Sequence, residues 1–249
     1  MEHLFPILGL AIFGSVLGLF GGVIVLSGKK WSTIISLYSV PFAAGVLLTV
    51  TLIDLLPEAT HLLGELAFPI VFLSFFGSFI LEQVFVHFHH HKPEHEVEEA
   101  QGAIALVIIG DTIHNFIDGI SIAASYLINP SLGVIVAIST FLHEIPHEIG
   151  DFGIMLRAGY EKKTVFQVNL LSSLSTILGA IFVLIFTPLV TDSIGTFLAI
   201  AAGMFLYIGA TDLLSQVNKE KENIIRQSIA LCIGVLLMLI VINLIPHES

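Results

Sequence analysis

Apolar residues fill this chain in long runs divided by short polar stretches, and the runs have the length of a bilayer crossing. A helix of about 20 apolar residues spans the hydrocarbon core. On that measure the sequence predicts eight transmembrane helices, over residues 4–26, 34–56, 66–86, 102–128, 132–156, 165–190, 194–217 and 224–245. The first run has no Lys or Arg ahead of it, the earliest being Lys29, so it lacks the basic start of a secretory signal and reads as a retained helix.

Composition fixes the class. With 55% hydrophobic and 12% charged residues and a mean hydropathy of +0.97, the chain is an all-α integral membrane protein, read as a single transmembrane domain over 1–249 with lipid around it. Its nine basic residues fall in alternate loops. Lys29 and Lys30 follow the first run, Lys92 the third, and Arg157, Lys162 and Lys163 the fifth, while Lys219, Lys221 and Arg226 surround the junction of the last two. The positive-inside rule puts those loops in the cytoplasm and both termini outside, in a plasma or inner membrane. A formal charge of -11 argues against nucleic acid as a partner. Cys232 is the single cysteine, so any bound metal must rest on nitrogen and oxygen ligands.

An internal repeat follows from comparing the runs. AGVLLTVTLIDLL (Ala44 to Leu56) and AGMFLYIGATDLL (Ala202 to Leu214) share Ala-Gly and Asp-Leu-Leu at one spacing. Their helices cross in opposite directions in the assigned topology. The expected architecture is therefore 3+2+3, with an inverted repeat of helices one to three and six to eight around a central pair. Asp54 then lies near the outer face and Asp212 near the inner one.

The central pair carries chemistry that apolar helices exclude. HNFIDG (His114 to Gly119) lies in the fourth run and HEIPHEIGD (His143 to Asp151) in the fifth. Asp111, Asp118, Glu144, Glu148 and Asp151 are acids in these two runs with no Lys or Arg between them. At roughly 2.5–3.5 kcal/mol per acid at a helix centre, their insertion costs on the order of 10 kcal/mol. A divalent cation offsets that cost and also explains the histidines. The short turn at Asn129, Pro130 and Ser131 sets Asp118 level with His143 and His114 level with His147. Each pair of neighbours along a helix is one turn apart on one face. Three imidazoles and a carboxylate make a four-ligand cluster of the kind Zn2+ accepts. Asn115 and Glu144 form a second level pair, compatible with a binuclear arrangement sharing Asp118 or His147. Asp111, Glu148 and Asp151 continue the stripe toward the cytoplasm as an exit path. Pro146 removes one backbone hydrogen bond beside the ligands and is expected to kink the helix. Asp54, Glu58, His61 and Glu65 step along the second run toward the outer surface, where solvation accounts for the last two.

His87, His89, His90, His91 and His95 crowd the cytoplasmic stretch 87–100 together with several acids. It reads equally as a metal-capturing loop and as a solvated, disordered one.

These motifs resemble the ZIP (Zrt/Irt-like protein) family of divalent metal transporters. HNFIDG matches the family's HNxxDG, HEIPHEIGD matches the HExPHExGD form of one large subgroup, and DLLPEA (Asp54 to Ala59) resembles HLLPEA, with Asp54 where His is more usual. The resemblance implies import of Zn2+, with Fe2+, Mn2+ or Cd2+ as further cargoes, by an elevator-like movement against a scaffold that forms a homodimer. Carried over by position, a first ion site would use His114, Asp118, His143 and His147, and a second Asn115, Asp118, Glu144 and His147. Asn169 and Ser172 resemble an NxxS stretch lining the family's pathway. Three imidazoles favour Zn2+ over Mn2+. Two other readings use the same residues. His143, Glu144 and His147 spell HExxH, the signature of a zinc protease, though Pro146 disturbs that helix and HNFIDG has no role in the scheme. A metal sensor would bind without flux.

Overall fold

The structure is a computed structural model that describes residues 3–27, 29–89, 96–190, 194–214 and 224–245. Among these residues the chain is helical, with no strand. In order come α1 (Leu4–Gly14), a 3-10 turn at Val16–Leu19, α2 (Phe20–Ser27), α3 (Lys29–Val50), a π turn at Thr51–Leu55, α4 (Leu56–Leu63) and a 3-10 turn at Gly64–Leu66. Then follow α5 (Ala67–His89), α6 (Glu96–Ile128), α7 (Pro130–Arg157), α8 (Lys162–Ser173), α9 (Ser175–Val190), α10 (Ile194–Tyr207), a π turn at Ile208–Leu213 and α11 (Ile224–Leu244).

Among the described residues, seven stretches are long and apolar enough to cross a membrane. One of them, Tyr38–Val84, holds 47 residues, which would extend about 70 Å as a straight helix against a hydrocarbon core of about 30 Å. It bends at Gly64, where φ is +59°. Glycine takes that conformation without the steric penalty an L side chain meets.

The expected first and sixth helices are each interrupted. Gly18 N–H donates to Ser15 O at 2.7 Å, tightening the chain into a 3-10 turn between α1 and α2. Between α8 and α9, Ser173 Oγ donates to Leu170 O at 3.0 Å and Ser175 Oγ to Ser172 O at 2.6 Å. Such hydroxyls compete with the helical ladder for its carbonyls. An apolar count cannot register either break, because Ser and Gly do not end an apolar run. At Pro146 the expected distortion does not interrupt the helix, since α7 continues to Arg157.

The interruptions share a register with the repeat. Ser15 and Ser173 stand 158 residues apart, the offset that relates Ala44 to Ala202. The π turns at Thr51–Leu55 and Ile208–Leu213 sit on the related Asp54 and Asp212. Each π turn packs on the other's helix, the first against α10 and the second against α3.

The main core joins α3, α7 and α10 through Ala43, Leu47, Val50, Ile135, Val136, Ala202 and Phe205. Glycines allow the tightest crossings. A Cβ on Gly119 would lie 1.9 Å from Thr176 O, and one on Gly179 1.9 Å from Phe116 O, so α6 and α9 touch backbone to backbone. Gly45 and Gly234 do the same for α3 and α11, at 2.3 Å from Leu231 O and 2.1 Å from Phe42 O.

Candidate metal centre

α6 and α7 form a hairpin closed by Asn129, whose side chain accepts from Ser131 N–H at 2.9 Å, with Pro130 opening α7. An Asn cap and a first-turn proline both stabilise a helix start. The hairpin fixes the relative depth of the two motifs.

Four side chains meet between the helices. His114, Asp118, His143 and Glu144 each offer one ligand atom, all within 4.8 Å of one another. His114 Nε2 lies 3.2 Å from His143 Nε2, 3.7 Å from Asp118 Oδ2 and 3.3 Å from Glu144 Oε1. His143 Nε2 lies 3.2 Å from Asp118 Oδ2 and 3.9 Å from Glu144 Oε1. A tetrahedral ion with bonds of about 2.0–2.1 Å needs ligand atoms about 3.3–3.4 Å apart. Five edges of the tetrahedron bracket that value.

The donors are also prepared electronically. His143 Nδ1 lies 2.9 Å from Ser139 O, an acceptor, so Nδ1 carries the proton and the Nε2 lone pair faces the cluster. This is the outer-shell contact that fixes a metal-binding imidazole. Asp118 and Glu144 are fully buried, and their oxygens accept no hydrogen bond of good geometry among the described residues. Two carboxylates so placed are costly without a cation. Phe205 of α10 closes the cluster laterally, its ring edge-on to His143 at 5.7 Å between centroids.

The remaining expected residues lie around this group. The His147 ring is 5.0 Å from that of His114 and 6.1 Å from that of His143 between centroids, and it is half-buried beside the four. The compact group therefore contains Glu144 where the motif-based first set has His147. Asn115 is fully buried, donates to Asp111 Oδ1 at 2.9 Å, and accepts from Ser15 Oγ at 2.6 Å and Thr176 Oγ1 at 3.0 Å. Glu148 is buried, with no hydrogen bond to either oxygen among the described residues, and Asp151 is half-buried. Asn169 donates to Val165 O at 2.8 Å, and Ser172 Oγ lies 3.1 Å from Thr112 Oγ1. Asp54 is buried, Glu58 half-buried, and His61 and Glu65 exposed. Asp212 lies in its π turn and His87 and His89 in α5, with their side chains outside the described residues, as are His90, His91 and His95 altogether.

Ser15, Ser139, Thr176 and Phe205 did not emerge from the sequence. Ser15 and Phe205 come from helices distant in the chain, and Ser139 acts through its backbone carbonyl. The register between the two halves of the repeat was the signal that could have drawn attention to Ser15.

Comparison with known proteins extends these observations. Zinc transporter ZIP13 of Mus musculus is 35% identical over 139 residues, which is 54% of this chain and 38% of that protein. Zinc transporter foi of Drosophila melanogaster is 33% identical over 151 residues, 59% of this chain and 21% of that protein. Zinc transporter ZIP10 of Danio rerio is 37% identical over 112 residues, 45% of this chain and 13% of that protein. The matches thus cover well under half of each relative's length. The sequence model of the ZIP zinc transporter family matches residues 95–242, more than half of the chain and the whole of the α6–α7 hairpin, so the chain that builds this buried His, Asp and Glu cluster belongs to the ZIP family.

Proposed function

We propose that the chain moves Zn2+ across a cell membrane into the cytoplasm through the cluster of His114, Asp118, His143 and Glu144. The observation that carries this reading is the tetrahedral spacing of four ligand atoms, two from buried acids, between membrane-length helices. The relatives' description as zinc transporters supports the cargo. Imidazole donors suit Zn2+ better than Mn2+, and Fe2+, Mn2+ and Cd2+ are lesser cargoes. His147 stands next in line, and Asn115, Asp118, Glu144 and His147 make up a second ion site. Asp54 and Glu58 serve the outer approach, Asn169 and Ser172 line the pathway, and Asp111, Glu148, Asp151 and Asp212 lead to the inner face. In the cytoplasm, His87, His89, His90, His91 and His95 receive metal.

For the architecture, counting Tyr38–Val84 as two crossings gives eight, arranged 3+2+3 with both termini outside. The shared register of Ser15 with Ser173 and of the two π turns supports the inverted repeat. Glycine contacts divide the helices into two groups. One holds α1, α2, α6, α7 and α9, and the other α3, α4, α5, α10 and α11. Among the described residues, each glycine contact closer than ordinary van der Waals distance joins helices of one group, as Gly21 of α2 does with Ile145 O and Gly203 of α10 with Val71 O. Among the described residues no glycine makes such a contact between the groups, and Phe205 against His143 lies on that boundary. Helices interlocked at glycines move together, whereas a boundary without such contacts can shift. This supports an elevator-like displacement of the metal-bearing group against a homodimeric scaffold. Proteolysis is not proposed, because Glu144 is itself in the ligand group and the family is one of transporters.

The test is zinc influx into liposomes holding the purified chain, read with a trapped zinc-sensing dye. Wild type is expected to show saturable influx that the His143→Ala, His147→Ala variant loses. Stoichiometric zinc binding without influx would overturn transport and favour the sensor.

A further inference from the structure

The 3-10 turn at Val16–Leu19 reaches both motif helices at the level of the ligands. Ser15, which opens it, donates to Asn115 Oδ1 of α6 at 2.6 Å, and Gly18 lies against Glu144 of α7. The Gly18 contact is tight. A Cβ built there would stand 2.6 Å from Glu144 Cβ, where ordinary contact begins at 3.4 Å. The α7 backbone sets the position of Glu144 Cβ, so no change of rotamer relieves a side chain at residue 18.

The turn is held from both ends. Ser15 ties it to α6, and in α2 a Cβ on Gly21 would fall 2.2 Å from the carbonyl oxygen of Ile145, the residue after Glu144. With the turn so anchored, the displacement falls on Glu144, and ordinary contact requires about 0.8 Å of it. The ligand group has no such room. Glu144 Oε1 already stands 3.9 Å from His143 Nε2, wider than a tetrahedral edge of about 3.3–3.4 Å, and metal–ligand distances tolerate only about 0.2 Å.

We propose that Gly18 is a positioning residue of the metal centre: its missing side chain lets the 3-10 turn seat Glu144 as the fourth ligand. The proposal rests on the zinc reading and deepens it, naming what keeps a second carboxylate in the donor set. That carboxylate decides the charge of the site. Two neutral imidazoles with Asp118 and Glu144 balance one divalent cation, whereas the set without Glu144 leaves a buried positive charge.

The test uses Co2+ and Zn2+ as probes on the purified chain in detergent. Four-coordinate Co2+ absorbs visible light far more strongly than six-coordinate Co2+, so its spectrum reads the ligand set separately from folding. Wild type is expected to show the intense four-coordinate band. Gly18→Ala should lose most of it and bind zinc about 10–100-fold more weakly, the range for loss of a group that orients a ligand. Gly22→Ala is the control, since its added carbon would lie 2.3 Å from the Phe152 ring, a closer clash that touches no ligand. It should lose stability on thermal denaturation and keep both spectrum and affinity. A folded Gly18→Ala protein with the wild-type band and affinity overturns the proposal. So does an equal loss in Gly22→Ala, or a wild-type spectrum without the four-coordinate band. Should Gly18→Ala not fold, Leu19→Ala decides by the same criteria, because it leaves Gly18 in place and removes the buried side chain that holds the turn in the cluster of Ile149 and Phe152. Failure of folded wild type to bind either metal would instead overturn the zinc reading itself.

Discussion

His143 Nε2 and Asp118 Oδ2 meet at 3.2 Å across the α6–α7 hairpin, both fully buried, with the imidazole held from behind by Ser139 O. On the proposed zinc reading, a carboxylate in that position serves cation binding and opposes stability in the cation's absence. Asp118→Asn keeps the volume and removes the charge. It is expected to weaken zinc binding by more than about 100-fold, beyond the cost of losing an outer-shell partner. The metal-free protein should at the same time become more stable, by about 1–3 kcal/mol, as an undonated buried carboxylate is replaced. Zinc titration and thermal denaturation in detergent check the two signs together. A variant that loses stability along with affinity would mark Asp118 as a structural group.

Cargo preference should follow the donor atoms. His143→Glu replaces a nitrogen ligand by an oxygen and is expected to shift competition toward Mn2+ and Fe2+, which favour carboxylates more than Zn2+ does. The check is inhibition of zinc influx by each ion in liposomes. Unchanged competition profiles would count against His143 as a ligand.

How much of this was readable in the chain depends on the reach of each signal. The hairpin register was legible because Pro130 anchors both helices and levels Asp118 with His143. Helix class was legible because apolar runs of bilayer length admit little else. The breaks at Ser15 and Leu174 were not, since hydroxyl and glycine residues leave an apolar run intact while altering its backbone bonding. The place of Glu144 in the compact group was not legible either. Helical spacing sets it one residue round from His143, and only the packed rotamers bring Oε1 to 3.3 Å from His114. Contacts such as Ser15 with Asn115, or Phe205 with His143, depend on tertiary packing that no local pattern encodes.

Gly119 closes the HNFIDG motif for a packing reason. A methyl group there would fall 1.9 Å from a backbone oxygen, which cannot rotate aside. Gly119→Ala is expected to destabilise the protein by about 1–3 kcal/mol or more through overpacking. It should also pull Thr176 away from Asn115. Gly110→Ala, on the same helix with nothing within 4 Å of the added carbon, serves as the control and should be neutral or slightly stabilising through helix propensity. Thermal denaturation of the two variants side by side gives the comparison, and equal behaviour would refute the tight α6–α9 crossing.

Tyr207 and Glu82 tie α10 to α5 just before the π turn at Ile208–Leu213 begins. The phenol donates to the Glu82 carboxylate, which otherwise lies exposed among the apolar side chains of α5. Thr211 Oγ1 donates to Tyr207 O, so the same residue steadies the π turn holding Asp212. Phe75 and Phe79 pack against the Tyr207 ring at 5.5 and 6.5 Å between centroids, and this packing remains in Tyr207→Phe. The variant therefore isolates the hydroxyl. A hydrogen bond to a charged group contributes about 1.5–3 kcal/mol, and a loss of that size is expected on thermal denaturation. Glu82→Gln keeps an acceptor and should lose less. A double-mutant cycle of Tyr207→Phe with Glu82→Ala separates the pair from the two single effects. Coupling no larger than about 0.3–0.5 kcal/mol, the ordinary additivity error, would mean that the phenol and the carboxylate do not hold each other in the membrane.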